Sequence, residues 1–195
     1  MDMSDFTMVR DLVFHVSASV ETNDHEVRIL ADGKDLIGDA PGLMGLDPWE
    51  LYRQSELLEG GRAIIARCGC GVSGCDSLRV DIRIGAQFAE WIGKNIQLRF
   101  AADQYTAWIS RAANDHSWED AGRRAERLVH EHLAGTTLGD GKTLRWASSR
   151  IKAKQIQLSF VDDTGQTLLG LDWDGADPAT AINAANKLLK QLRRT

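Results

Sequence analysis

The chain predicts an α+β fold: an antiparallel sheet of hairpins packed against amphipathic helices, closing on a C-terminal helix. Three observations lead there. Apolar residues alternate with polar ones through most of the first hundred positions, the pattern of half-buried strands. From Phe100 to Leu133 and again after Asp177 the apolar spacing changes to that of helices. Short turn pairs, not long crossovers, join the strand-like runs, so strands and helices are grouped and no parallel βαβ sheet is indicated.

The first strand places Leu12, Phe14, Val16, Ala18 and Val20 on one side and Asp11, His15, Ser17 and Ser19 on the other. A second strand, Val27 to Ala31, runs into Asp32-Gly33, a pair that accepts the positive φ angles of a tight hairpin turn leading to Leu36 and Ile37. Asp47-Pro48 then supplies an N-cap followed by proline at the first helical position, and a short helix is expected to about Leu58. Ala63 to Ala66, and Leu78, Val80, Ile82 and Ile84 alternating with Arg79, Asp81 and Arg83, read as the arms of a hairpin with Cys68 to Cys75 at its tip. Phe88 to Ile92 and Ile96 to Phe100 make the next hairpin, and the meander is expected to form one antiparallel sheet.

Tyr105, Trp108, Ile109 and Ala112 mark a first long helix. A second is expected from Ser117 as cap, with Trp118, Ala121, Ala125, Leu128, Val129 and Leu133 as its apolar stripe and Gly135 as its stop. On this reading Glu119, Asp120, Glu126 and Glu131 form a solvated face, His130 is solvated and His132 sits near the stripe. Residues 1–195 are expected to form a single domain, and the glycine- and threonine-rich stretch 135–142 is the place for an internal boundary. Strands resume through Leu144, Trp146 and Ile151. A hairpin turns at Asp162-Asp163-Thr164-Gly165, and Asp177-Pro178 opens the terminal helix carrying Ala181, Ile182, Ala185, Leu188, Leu189 and Leu192.

With 195 residues, 43% hydrophobic and 26% charged, the chain can bury a sizeable core without disulfide staples. A net charge of −5 repels phosphate backbones and anionic lipid surfaces, which makes a nucleic-acid or membrane-surface role unlikely on charge grounds. The acidic start Met1-Asp2-Met3-Ser4-Asp5 lacks the pattern of a secretion signal, and no apolar run approaches the roughly 18 residues of a membrane helix. The expectation is a soluble cytoplasmic protein.

The segment that carries chemistry is Arg67-Cys68-Gly69-Cys70-Gly71-Val72-Ser73-Gly74-Cys75, which gathers all three cysteines of the chain. Cys68 and Cys70 are two apart and Cys75 returns on the other arm, so three sulfurs can face one point. Zinc would need a fourth ligand from elsewhere, such as a histidine, a carboxylate or water, and His116 is the histidine placed most freely to reach another element. Two other outcomes stay open: a Cys70–Cys75 disulfide, which a reducing compartment disfavours, and thiols that simply fill a small apolar corner. The histidines at 130 and 132 lie about 200° apart around a helix and cannot share one metal. Gly139-Asp140-Gly141-Lys142-Thr143 lacks the first glycine and the strand-to-helix order of a phosphate loop. Asp172 to Asp177 resembles the start of a calcium loop, but Asn183 stands where the bidentate glutamate belongs.

The loop resembles a family of small bacterial proteins that share a Cys-x-Cys-Gly-x-x-Gly-Cys hairpin followed by an alternating strand, and the resemblance extends to Gly61–Arg67, Phe100–Tyr105 and Ser117-Trp118-Glu119. It implies no activity, substrate or cofactor. The residues themselves lead to a non-enzymatic binding or structural protein whose cysteine hairpin can hold zinc. Its partner would be a protein, in the manner of an inhibitor or immunity protein that complements a basic toxin by charge. The alternative is a metal-dependent enzyme in which Cys68, Cys70 and Cys75 leave an open coordination position to activate water.

Overall fold

In a computed structural model, residues 6–18, 24–38, 42–70 and 75–192 are described. Val20 and Ser19 of the expected first strand, and the loop residues 71–74, lie outside them. The elements in order are β1 Thr7–Met8, β2 Leu12–Ala18, β3 His25–Ala31, β4 Lys34–Asp35, β5 Leu43–Gly45, α1 Pro48–Tyr52, α2 Glu56–Glu59, β6 Gly61–Cys68, β7 Ser77–Ile84, β8 Phe88–Gly93 and β9 Ile96–Ala101. They continue as α3 Ala102–Asn114, α4 Ala121–His132, β10 Thr143–Lys152, β11 Gln155–Asp162, β12 Gly165–Asp172 and α5 Pro178–Leu192. The fold is α+β, with antiparallel hairpins, amphipathic helices and a C-terminal helix.

The chain divides into two compact units, Met1–Asp115 and His116–Thr195. The division falls ahead of α4, and the stretch 135–142 lies within the second unit, where Leu138 N–H bonds the Lys142 carbonyl at 2.9 Å.

In the first unit, six strands form one sheet in the order β1-β9-β8-β7-β6-β5, and β2-β3-β4 form a separate three-stranded sheet. The meander β6 to β9 is antiparallel as its alternation predicts, while β1 adds to β9 in parallel, a pairing no local pattern announced. One side of the large sheet is apolar: Ala63, Ile65, Val80, Ile82, Ala89, Trp91 and Phe100 are buried there with Tyr105 and Ile109 of α3 and Val27 and Ile29 of β3. Phe100 and Tyr105 meet at 5.3 Å between centroids, and Trp91 stands edge-on to both. Burial holds the Tyr105 phenol well above its ordinary pKa, so it serves as a neutral donor and acceptor. The other side is polar, with Arg62 paired to Asp81 and Arg99 to Glu90 across adjacent strands.

Asp47 caps α1 by accepting from Trp49 N–H at 3.0 Å, with Pro48 at the first helical position. The helix expected to Leu58 is broken in two at Arg53–Ser55. There Gln54 turns inward, its amide accepting from Ile64 N–H at 2.7 Å and donating to Ile64 C=O at 2.9 Å. Those bonds tie the break to β6.

In the second unit, β10-β11-β12 form an antiparallel sheet whose Ile156, Leu158 and Phe160 pack with Ala125 and Val129 of α4 and Ala181 and Ala185 of α5. The cap of α4 is Asp120, which accepts from Arg123 N–H at 2.7 Å; Ser117 and Trp118 precede the helix. Asp120 sits three residues before a helical N–H and out-competes Ser117 because its carboxylate also favours the positive end of the helix. Glu126 is buried, contrary to the solvated face expected for it. Its Oε1 accepts from Ser149 N–H at 2.6 Å and from the Ser148 and Ser149 hydroxyls, and its Oε2 faces buried Arg123 at 3.2 Å. Among the described residues no helix is long and apolar enough to cross a membrane.

Candidate metal centre

Strand β6 ends at Cys68 because the ladder with β7 ends there. Arg67 pairs with Ser77, and Cys68 N–H makes a closing bond to the Asp76 carbonyl at 2.8 Å. A register shift between Ile64 and Ala66, where one strand carries an extra residue, bends β6 just ahead of this end. On its other side, Gly69 N–H bonds the Gly42 carbonyl at 2.8 Å, continuing the β5 ladder in which Leu43 pairs with Cys68 and Met44 with Arg67. Cys68 is therefore held from both sides, and Gly69-Cys70 begins the turn.

The Sγ atoms of Cys68, Cys70 and Cys75 lie within 4.8 Å of one another. Cys68 is half-buried and the other two are exposed, and no disulfide joins them. The backbone N–H of Cys70 donates to Cys68 Sγ at 3.5 Å. Hydrogen bonds with the Cys70 and Cys68 sulfurs, with the repulsion of their negative charge, push the Cys75 thiol from 9.0 up to about 11. Without a cation the three sulfurs cannot all be thiolates near neutral pH; a bound cation removes that obstacle.

All three predicted ligands thus converge. His116 belongs to the second unit and faces Glu119 Oε1 at 3.6 Å. His132 is exposed in the last turn of α4, with a ring nitrogen 2.9 Å from Asn186 Oδ1, and His130 is half-buried, the reverse of the expected order. The aspartates of the calcium-like segment are used as caps: Asp174 accepts from the N–H groups of Ala176 and Asp177, and Asp177 from that of Ala179. Asp140 closes its turn through the N–H and Nζ of Lys142.

A methionine sulfur lies beside the turn, on the face of β5 shared with Arg67 and not with Cys68. A Cβ at Gly69 would stand 3.7 Å from the Sδ of Met44, so the thioether lies beside the residue that separates two of the thiols. Met44 is 24 residues before Cys68 in the chain, and only the β5–β6 register brings it there. Gly45 makes that register possible. A side chain at this position would overlap the Val27 backbone, and its N–H is bound by Glu26 Oε2 at 2.8 Å.

No family model matches the chain, and no curated protein or solved structure matches it.

Proposed function

We propose that this is a non-enzymatic binding protein in which Cys68, Cys70 and Cys75 hold a zinc ion at the end of the β6–β7 hairpin. The observation that carries the reading is the approach of all three sulfurs to within 4.8 Å of one another. With zinc–sulfur bonds of about 2.3 Å, tetrahedral ligands stand roughly 3.8 Å apart, which small side-chain rotations reach from this arrangement. The ion would cross-link the end of β6 to the start of β7 across the loop and replace repulsion among thiolates with attraction to a shared cation.

A binding role is favoured over catalysis by the donor set. Among the described residues, the cluster contains no carboxylate or imidazole to act as acid or base toward a metal-bound water. An open depression of about 410 Å³, lined by Arg83, Ile84, Phe88 and Glu90 among others, lies at the opposite end of β7 from the cysteines. The net charge of −5 supports a protein partner with a basic surface, as an inhibitor or immunity protein would have.

Elemental analysis of protein purified with reductant tests the site. Close to one zinc per chain, lost in Cys68→Ser and Cys70→Ser, is the expected result, and a wild-type zinc content no higher than that of the variants would overturn it.

A further inference from the structure

We propose that Cys70 and Cys75 form a redox pair: a peroxide joins them in a disulfide, and the zinc ion they hold together with Cys68 is released. The inference rests on the zinc reading of the cluster and adds its regulation by oxidation.

Access is the first argument. Cys70 and Cys75 are exposed while Cys68 is half-buried, so a small oxidant arriving from water meets two of the three sulfurs. All three Sγ atoms lie within 4.8 Å of one another, and the Cys75 thiol is hydrogen-bonded to the Cys70 sulfur. Whichever of the two is oxidised first therefore has a resolving thiol beside it.

Backbone freedom is the second argument. Strand β6 ends at Cys68 and β7 begins at Ser77, so Cys70 and Cys75 both stand outside the ladder. Cys68 is fixed from two sides, paired with Leu43 and bonded through its N–H to the Asp76 carbonyl at 2.8 Å. A disulfide demands one narrow geometry, which residues beyond the strand ends can reach and a residue held in two ladders resists. The Cys70 N–H also keeps the Cys68 sulfur against its own turn, and a Cys68–Cys70 bridge would have to close a strained ring through Gly69 alone.

Zinc keeps its charge throughout, and sulfur carries the two electrons. One thiolate takes an oxygen from hydrogen peroxide, giving a sulfenic acid and hydroxide. The second thiol attacks that sulfur, the S–S bond forms and the oxygen leaves as water. In total two thiols and one peroxide give one disulfide and two waters. The joined sulfurs are no longer anionic ligands, and the single thiolate left on Cys68 holds zinc far more weakly than three.

The test uses the zinc-loaded full chain, freed of reductant, treated with hydrogen peroxide beside a chromophoric zinc indicator. Release of one zinc per disulfide formed is expected, with uptake restored by a dithiol reductant. Arg67 and Arg79 bracket the cysteines, so trypsin leaves all three in one peptide, and fragment masses after alkylation should place the alkyl group on Cys68. A bridge that includes Cys68, a bridge between two chains, or zinc retained after the thiols are oxidised overturns the proposal and leaves the zinc site standing. A freshly reduced chain that takes up no zinc before peroxide is added removes the metal reading and this coupling with it. Cys68→Ser checks the pairing without metal: it should still form the Cys70–Cys75 bridge, and failure to do so overturns the assignment of the pair.

Discussion

The Cys70 backbone N–H points at Cys68 Sγ across 3.5 Å, so the turn that carries one cysteine also fixes the sulfur of another. A donor aimed at a sulfur holds that side chain in place. Cys70→Ser keeps this N–H but removes a coordinating sulfur. The metal-loaded protein should melt at least about 4 °C lower in the variant, roughly 1–2 kcal/mol for a chain of this length, while the chelated proteins should melt together. Equal losses with and without chelator would assign the cysteines to packing alone.

Metal binding should release protons. Cys75, raised to about 11 by its sulfur neighbours, is protonated near neutral pH before the ion arrives, so affinity should climb as pH rises from 6 to 8. Calorimetry in buffers of different ionisation enthalpy counts the protons; heats that do not vary with buffer would show that no thiol ionises on binding. For the metal-free protein the sign reverses. A thiol whose pKa is higher folded than unfolded contributes stability that is complete below 9.0 and is lost as pH rises through about 11. Chemical denaturation of chelated protein across that window should show the midpoint falling, and Cys75→Ser should abolish this part of the decline.

Trp91 Nε1 donates to Tyr105 Oη at 3.0 Å, and the hydroxyl donates to Leu57 C=O at 2.6 Å, a buried relay joining β8, α3 and α2. Tyr105→Phe keeps the ring and strands both partners. It should cost about 1–3 kcal/mol in urea unfolding, far more than loss of an exposed hydroxyl. A change below about 0.5 kcal/mol would mean that water replaces the relay.

Glu126 faces buried Arg123 at 3.2 Å and accepts from Ser149 N–H at 2.6 Å, fastening α4 to β10. Glu126→Ala removes the carboxylate beside the buried guanidinium and should cost about 3–5 kcal/mol. Glu126→Leu with Arg123→Met should recover most of that loss. Failure of the double variant to recover would locate the cost in the Ser148, Ser149 and Arg150 contacts instead.

The hairpin arms around the cysteines were readable because Ala63 to Ala66 is a short apolar run, Leu78 to Ile84 alternates strictly, and glycine and cysteine separate the two at one place. Asp47, Asp120 and Asp177 show the limit of cap reading. At 47 and 177 a proline follows and settles the first helical position, whereas Ser117 and Asp120 were both chemically able to cap and the carboxylate of Asp120 takes the positive end of α4. The charge pattern of α4 also misled, since a carboxylate spaced for a solvated face was drawn inward by an arginine three residues away. The β5–β6 pair and the parallel β1–β9 pair were invisible for a common reason: each depends on a partner distant in sequence, which local periodicity cannot name.

Native mass spectrometry of the reduced full chain, mixed with zinc, tests the central claim most directly. The account predicts one added ion per chain, accompanied by loss of protons from the thiols, and none on a Cys68→Ser, Cys70→Ser, Cys75→Ser triple variant. The metal-free mass persisting in the presence of zinc, or equal uptake by the triple variant, would contradict it.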